Sequence, residues 1–119
     1  MDKMILILDD EQECVLSLKK FLAHFLHEVV ITLYPKDALE LIQTYKPMLV
    51  LFDYKMPEMN GDQFLEKAKA LSPKTRYVLM TAYRDDLTLE RFKKIGVDEV
   101  MMKPLDLEKI LALIEELNP

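Results

Sequence analysis

Short, unbroken runs of apolar residues recur along this chain, and the sequence between them repeats its apolar positions every three or four residues. The first run, Met4-Ile5-Leu6-Ile7-Leu8, stops at Asp9-Asp10. Others follow at residues 29–33, 48–52 and 77–80, with a weaker one at Val100-Met101-Met102. A continuous run of four or five apolar residues, closed by charge or a turn, predicts a strand covered on both faces.

Helical spacing fills the gaps. Val15, Leu18, Leu22 and Phe25 share one face of a helix predicted over about residues 11–26. Ala38, Leu41, Ile42 and Tyr45 mark a second, which Pro47 ends. Phe64, Leu65, Ala68 and Leu71 mark a third, closed by Ser72-Pro73. Leu89, Phe92 and Ile95 mark a fourth, with Gly96 placed for a left-handed cap. Leu107, Ile110, Leu111 and Ile114 mark the last, with Asp106 as its N-cap.

The pattern is (βα)5, an α/β chain expected to form a doubly wound parallel five-stranded sheet with helices on both faces. A closed eight-fold barrel needs about twice this length. At 119 residues, with only two glycines and no Pro- or Ser-rich stretch, residues 1–119 are expected to form one domain. In open sheets of this kind, ligands bind at the carboxyl ends of the strands.

Composition narrows the classes. A net charge of -5 argues against a nucleic-acid surface, since Lys19-Lys20 and Lys93-Lys94 are too short to grip phosphates and read as solvated helix faces. One cysteine, Cys14, allows no internal disulfide; it fits a reducing, cytoplasmic setting and reads as a packing residue. No apolar run approaches the roughly 20 residues that span a bilayer, so no membrane contact is expected. His24 and His27 have no ligand cluster around them and read as surface. Of the eight methionines, Met4, Met48, Met80 and one of Met101 and Met102 suit strand-core positions.

Four predicted strands end in side chains with chemistry: Asp9-Asp10, Asp53, Thr81, and Lys103-Pro104. Each alone is an ordinary cap or turn residue; their occurrence together, at one edge of a parallel sheet, is what carries a functional reading. Gathered carboxylates repel, and without a cation at least one would hold a proton. A hard divalent ion with oxygen ligands resolves the conflict, and Mg²⁺ suits few carboxylates, several waters and a phosphate oxygen. Lys103 adds a charge able to pair with Asp53 or with a phosphoryl oxygen. A carboxylate is a competent nucleophile toward phosphorus, and phosphoryl transfer demands mainly positioning and charge neutralisation.

These residues, with the run Asp53-Tyr54-Lys55-Met56-Pro57-Glu58-Met59-Asn60-Gly61, Thr81-Ala82-Tyr83 and the stretch Gly96-Val97-Asp98 through Lys103-Pro104, make the sequence resemble a receiver (response-regulator) domain of two-component signalling. The resemblance spans essentially the whole chain and implies the flavodoxin-like strand order 2-1-3-4-5. It implies that Asp53 accepts a phosphoryl group from a histidine of a sensor kinase or phosphotransfer protein. Asp10, Asp53 and the backbone carbonyl of Lys55 would bind Mg²⁺ directly and Asp9 through water; Thr81 and Lys103 would meet the phosphoryl oxygens. The face of the fourth helix, fifth strand and fifth helix would switch, and could form a homodimer. The Met56-Pro57 and Asn60-Gly61 steps would shape the loop, with Gly61 tolerant of a positive φ where the third helix begins. The chain would be a signalling domain that promotes its own phosphorylation rather than an enzyme.

One departure is visible. Val100 stands where receivers commonly carry Tyr or Phe, three residues before the lysine, so signalling by an inward-swinging ring there cannot operate. Tyr83 is the expected substitute reporter, and Lys55 with Tyr83 is expected to slow self-hydrolysis. A phosphohydrolase with an aspartate nucleophile would need an acid where Lys55 stands; a flavin protein would need a Gly/Ser/Thr-rich loop in place of Asp-Asp-Glu-Gln-Glu. The stronger rival is a binding module of the same fold that works without phosphorylation. The chain ends at Asn118-Pro119, where receivers usually join an output domain, so a free-standing relay protein and a piece of a longer regulator are both compatible.

Overall fold

The computed structural model describes residues 4–9, 12–24, 28–82, 85–103 and 106–117. Strands and helices alternate: β1 Met4–Leu8, α1 Gln12–Ala23, β2 Glu28–Thr32, α2 Pro35–Tyr45, β3 Leu49–Asp53, α3 Gly61–Leu71, β4 Arg76–Thr81, α4 Asp86–Ile95, β5 Glu99–Met102 and α5 Leu107–Leu117. All four strand pairings are parallel, in the order β2-β1-β3-β4-β5.

The unbroken apolar runs are explained by two separate cores. Side chains alternate across a strand. Ile5, Ile7, Leu49, Leu51, Val78 and Met80 therefore face one layer, where Leu22 of α1 and Ile110 and Ile114 of α5 cover them. Leu6, Leu8, Val50, Phe52, Tyr77 and Leu79 face the other, under Ala38, Ile42, Phe64, Leu65 and Phe92 from α2, α3 and α4. The expected double coverage holds for β1, β3 and β4; the edge strands β2 and β5 stay half exposed, because each has a neighbour on one side only. Met101, not Met102, takes the core position, beside Met4 and Met80, with Met48 partly buried.

Element ends follow local chemistry. Gly96 takes φ 111° and returns its N–H to the Phe92 carbonyl at 3.0 Å. Asp106 caps α5, its Oδ1 accepting from Glu108 N at 3.0 Å and Lys109 N at 3.3 Å. α2 stops at Tyr45, two residues before Pro47, and Lys46 between them turns left-handed at φ 49°. α1 ends at Ala23; residues 25 and 26 of the predicted helix, and His27 after them, lie outside the described residues, as does the side chain of Cys14. His24, Lys19, Lys20, Lys93 and Lys94 are exposed, as expected.

Tyr77 fastens the end of α3 to the sheet. Its fully buried hydroxyl lies 2.9 Å from the carbonyls of both Ala68 and Ser72, which share its one proton, and burial pushes its pKa up to about 12. Replacing it by Phe removes this buried donor, while the Ala68 carbonyl keeps the Ser72 N–H at 2.8 Å, at a cost of about 1–2 kcal/mol in urea unfolding near neutral pH. A raised folded-state pKa means that the unfolded chain loses this proton first. Stability from the neutral phenol is complete below pH 10 and falls as pH climbs toward about 12, so the gap between wild type and Tyr77→Phe narrows across that window. Paired unfolding curves at a series of pH values check both effects.

Candidate functional site

Parallel pairing brings the strand ends to one edge. Leu8 pairs with Phe52, Asp53 with Met80 and Thr81 with Met102, so Asp9, Asp53, Thr81 and Lys103 emerge side by side. Lys103 Nζ lies 2.8 Å from Asp53 Oδ2 and 3.0 Å from Asp9 Oδ2. Asp9 and Lys103 are nearly enclosed, at 3% and 9% side-chain exposure; Asp53, at 18%, is the more open carboxylate. Two carboxylates withdrawn from water repel each other unless a cation joins them, and here the ammonium does so. The other oxygen of Asp53, Oδ1, accepts from the backbone N–H of Tyr54 at 2.6 Å. Thr81 is buried beside them, and its carbonyl accepts from Lys103 N at 2.8 Å.

The loop after Asp53 folds back tightly. Gly61 N–H donates to the Tyr54 carbonyl at 2.7 Å, and a Cβ at Gly61 would lie 2.7 Å from the Asp53 carbonyl oxygen. Glycine is needed there for close approach; the expected positive φ falls instead on Glu58, at 75°. Met59 N–H closes a three-residue turn on the Pro57 carbonyl at 2.9 Å around Glu58, whose carboxylate accepts from Lys36 N at 3.2 Å. Asn60 N–H donates to Gln63 Oε1 at 3.2 Å, securing the start of α3.

Of the residues singled out from sequence, the structure thus gathers Asp9, Asp53 and Lys103, with Thr81 alongside and Lys55 exposed on the adjoining loop. Asp10, Tyr83 and Pro104 lie outside the described residues. Among the described residues, no three His, Cys, Asp or Glu side chains cluster as a metal site. The donors that do converge on this edge carry oxygen alone, which fits a hard divalent ion rather than a softer metal. Sequence reasoning missed the Tyr54 N–H on Asp53, a backbone contact that residue type does not reveal.

Comparisons with known proteins agree with this geometry. The family model described as "Response regulator receiver domain" matches residues 5–115. The chain is 31% identical over 116 residues to the transcriptional regulatory protein CrdR of Helicobacter pylori, covering 97% of this chain and 54% of that protein. It thus spans about half the length of that relative. A CheY-like response regulator receiver domain protein from Methanospirillum hungatei superposes with TM-score 0.90 at 33% identity, covering 98% of this chain and 93% of the other. A response regulator from Burkholderia pseudomallei, solved with a phosphorylated aspartic acid, a calcium ion and citrate, superposes with TM-score 0.86 at 26% identity, covering 95% of this chain and 66% of the other.

Two substitutions test the geometry. Lys103→Met removes the cation between Asp9 and Asp53 and is expected to cost about 1–3 kcal/mol in urea unfolding. Gly61→Ala forces the loop off the Asp53 carbonyl; the crowding outweighs the better helix propensity of alanine, for a net loss of roughly 1–2 kcal/mol by the same measurement.

Proposed function

The chain belongs to the response regulator receiver domain family of two-component signalling, and from that premise we propose that Asp53 is its phosphoacceptor. The observation that carries this reading is the Lys103 ammonium held between Asp53 and Asp9 at the open edge of the sheet. A carboxylate oxygen of Asp53 attacks phosphorus opposite its bond to a histidine nitrogen of a sensor kinase or phosphotransfer protein. A P–O bond forms as the P–N bond breaks, and the imidazole leaves with the bonding electron pair. Lys103 shifts from Asp53 Oδ2 to a phosphoryl oxygen, and the Thr81 hydroxyl donates to another. Asp10, Asp53 and the Lys55 carbonyl would hold Mg²⁺, with Asp9 acting through water, and the bound ion would supply charge neutralisation for the transferring oxygens.

The chain would thus promote its own phosphorylation and dephosphorylation without turning over a substrate as an enzyme does. We place it in the cytoplasm, as one domain over residues 1–119. Among the described residues, no helix is long and apolar enough to cross a membrane. The output face would be that of α4, β5 and α5, where a groove of about 500 Å³ is lined by Glu99, Met102, Asp106, Lys109, Leu113 and Glu116. Leu87 and Met102 are exposed large apolar residues on α4 and β5, suited to a partner, an output domain or a second copy.

Intact mass after incubation with acetyl phosphate and Mg²⁺ tests the assignment. One phosphoryl group is expected on the wild type, lost on hydroxylamine treatment, and none on Asp53→Asn or in the presence of a chelator. A wild type left unmodified by acetyl phosphate and by phosphohistidine donors would favour the phosphorylation-independent binding module.

A further inference from the structure

The start of α3 and the end of β3 are gripped by two consecutive residues of α4. Phe92, fully buried, meets the Tyr54 ring edge-on, with centroids 5.8 Å apart and planes at 78°. It also meets Phe52 at 6.1 Å, and its Cζ lies 3.3 Å from where a Cβ on Gly61 would stand. Next to it, Arg91 Nε bonds Asp62 Oδ2 at 2.8 Å. Asp62 is itself buried, and its other oxygen has no hydrogen-bond partner among the described residues, so this carboxylate depends heavily on Arg91.

We propose that α4 reads the state of Asp53 through the β3–α3 loop, by way of Tyr54 and Phe92. Tyr54 is tied at both ends of the path: its N–H holds Asp53 Oδ1 at 2.6 Å, and its ring rests on Phe92. A phosphoryl group on Asp53 redistributes charge between the carboxylate oxygens and so changes the acceptor facing that N–H. The peptide plane at Tyr54 shifts, and the ring it carries pushes on a fully buried side chain. Packed interiors answer such a push by moving an element between discrete positions rather than by deforming smoothly. α4 is that element, held to the loop by the Phe92 ring and to the start of α3 by the Arg91–Asp62 pair. β5 offers no ring for a parallel route, since Val100 is aliphatic.

The proposal rests on Asp53 being the phosphoacceptor, and its test separates the two. Backbone amide shifts of residues 86–95 are compared before and after acetyl phosphate and Mg²⁺, with intact mass read on the same samples. Phe92→Leu is expected to gain the phosphoryl group as the wild type does, while its α4 shift changes fall to about half or less. Phe92→Met serves if the leucine variant gives no dispersed spectrum. Val100→Ala is expected to keep the full α4 response. An undiminished α4 response in a folded, phosphorylated Phe92 variant overturns the proposal, as does loss of that response in phosphorylated Val100→Ala. Absence of the phosphoryl group from the wild type overturns the Asp53 reading itself, and the mass alone reveals it.

Discussion

Everything at the working edge of this molecule depends on one ammonium group held between two carboxylates. Lys103 enters from β5, whereas Asp53 ends β3, and β4 lies between them. Neighbouring strands are about 4.8 Å apart, so the lysine reaches across roughly two strand spacings to make its contact. Only a long, flexible side chain bridges that gap, and only a parallel sheet in this order delivers both ends to one rim. Asp9, just past the end of β1 on the far side of Asp53, completes the bridge at 3.0 Å. The charges thus constrain strand order as firmly as the apolar layers do. They also leave the site adaptable, because a compact ammonium can change partners with little rearrangement.

The same edge is joined to its surroundings by backbone as much as by side chains. Tyr54 N–H on Asp53, Gly61 N–H on the Tyr54 carbonyl and the turn at Glu58 fix the loop that follows β3. A non-glycine residue at φ 75° is strained, and such strain persists only where surrounding contacts enforce it. Here Lys36 N–H on the Glu58 carboxylate and the start of α3 provide that enforcement. The loop is therefore a shaped part of the site and the natural place for a neighbouring helix to sense it.

Much of this was legible in the residues. The apolar runs marked the strands because both faces of the central sheet are covered, and the helical stripes marked the helices because each covers only one layer. Convergence of Asp9, Asp53 and Lys103 followed from parallel strands ending at one edge. What stayed hidden depends on contacts distant in sequence or on backbone. β3 runs one residue past its apolar stretch, to Asp53, because ladder pairing with Met80 continues under a charged side chain. Gly61 matters for crowding rather than for φ, which composition cannot distinguish. The burial of Asp62 in the first turn of α3 and its pairing with Arg91 of α4 depend on helices that meet only in the fold. The Tyr54–Phe92 pair has no periodic signature at all.

The spacing of the charged trio along the chain has a consequence for biogenesis. Lys103 and Asp53 are 50 residues apart in sequence, and Asp9 directly follows the first strand. No fragment lacking β5 contains the lysine, so a nascent or proteolytically nicked chain can collapse around β1 and β3 while its acidic rim remains uncompensated. Non-local pairings of this sort form late, after the entropy of closing long loops has been met. Chemical competence at the rim is therefore acquired with the last strand, which makes it a marker of completed folding as well as of signal input.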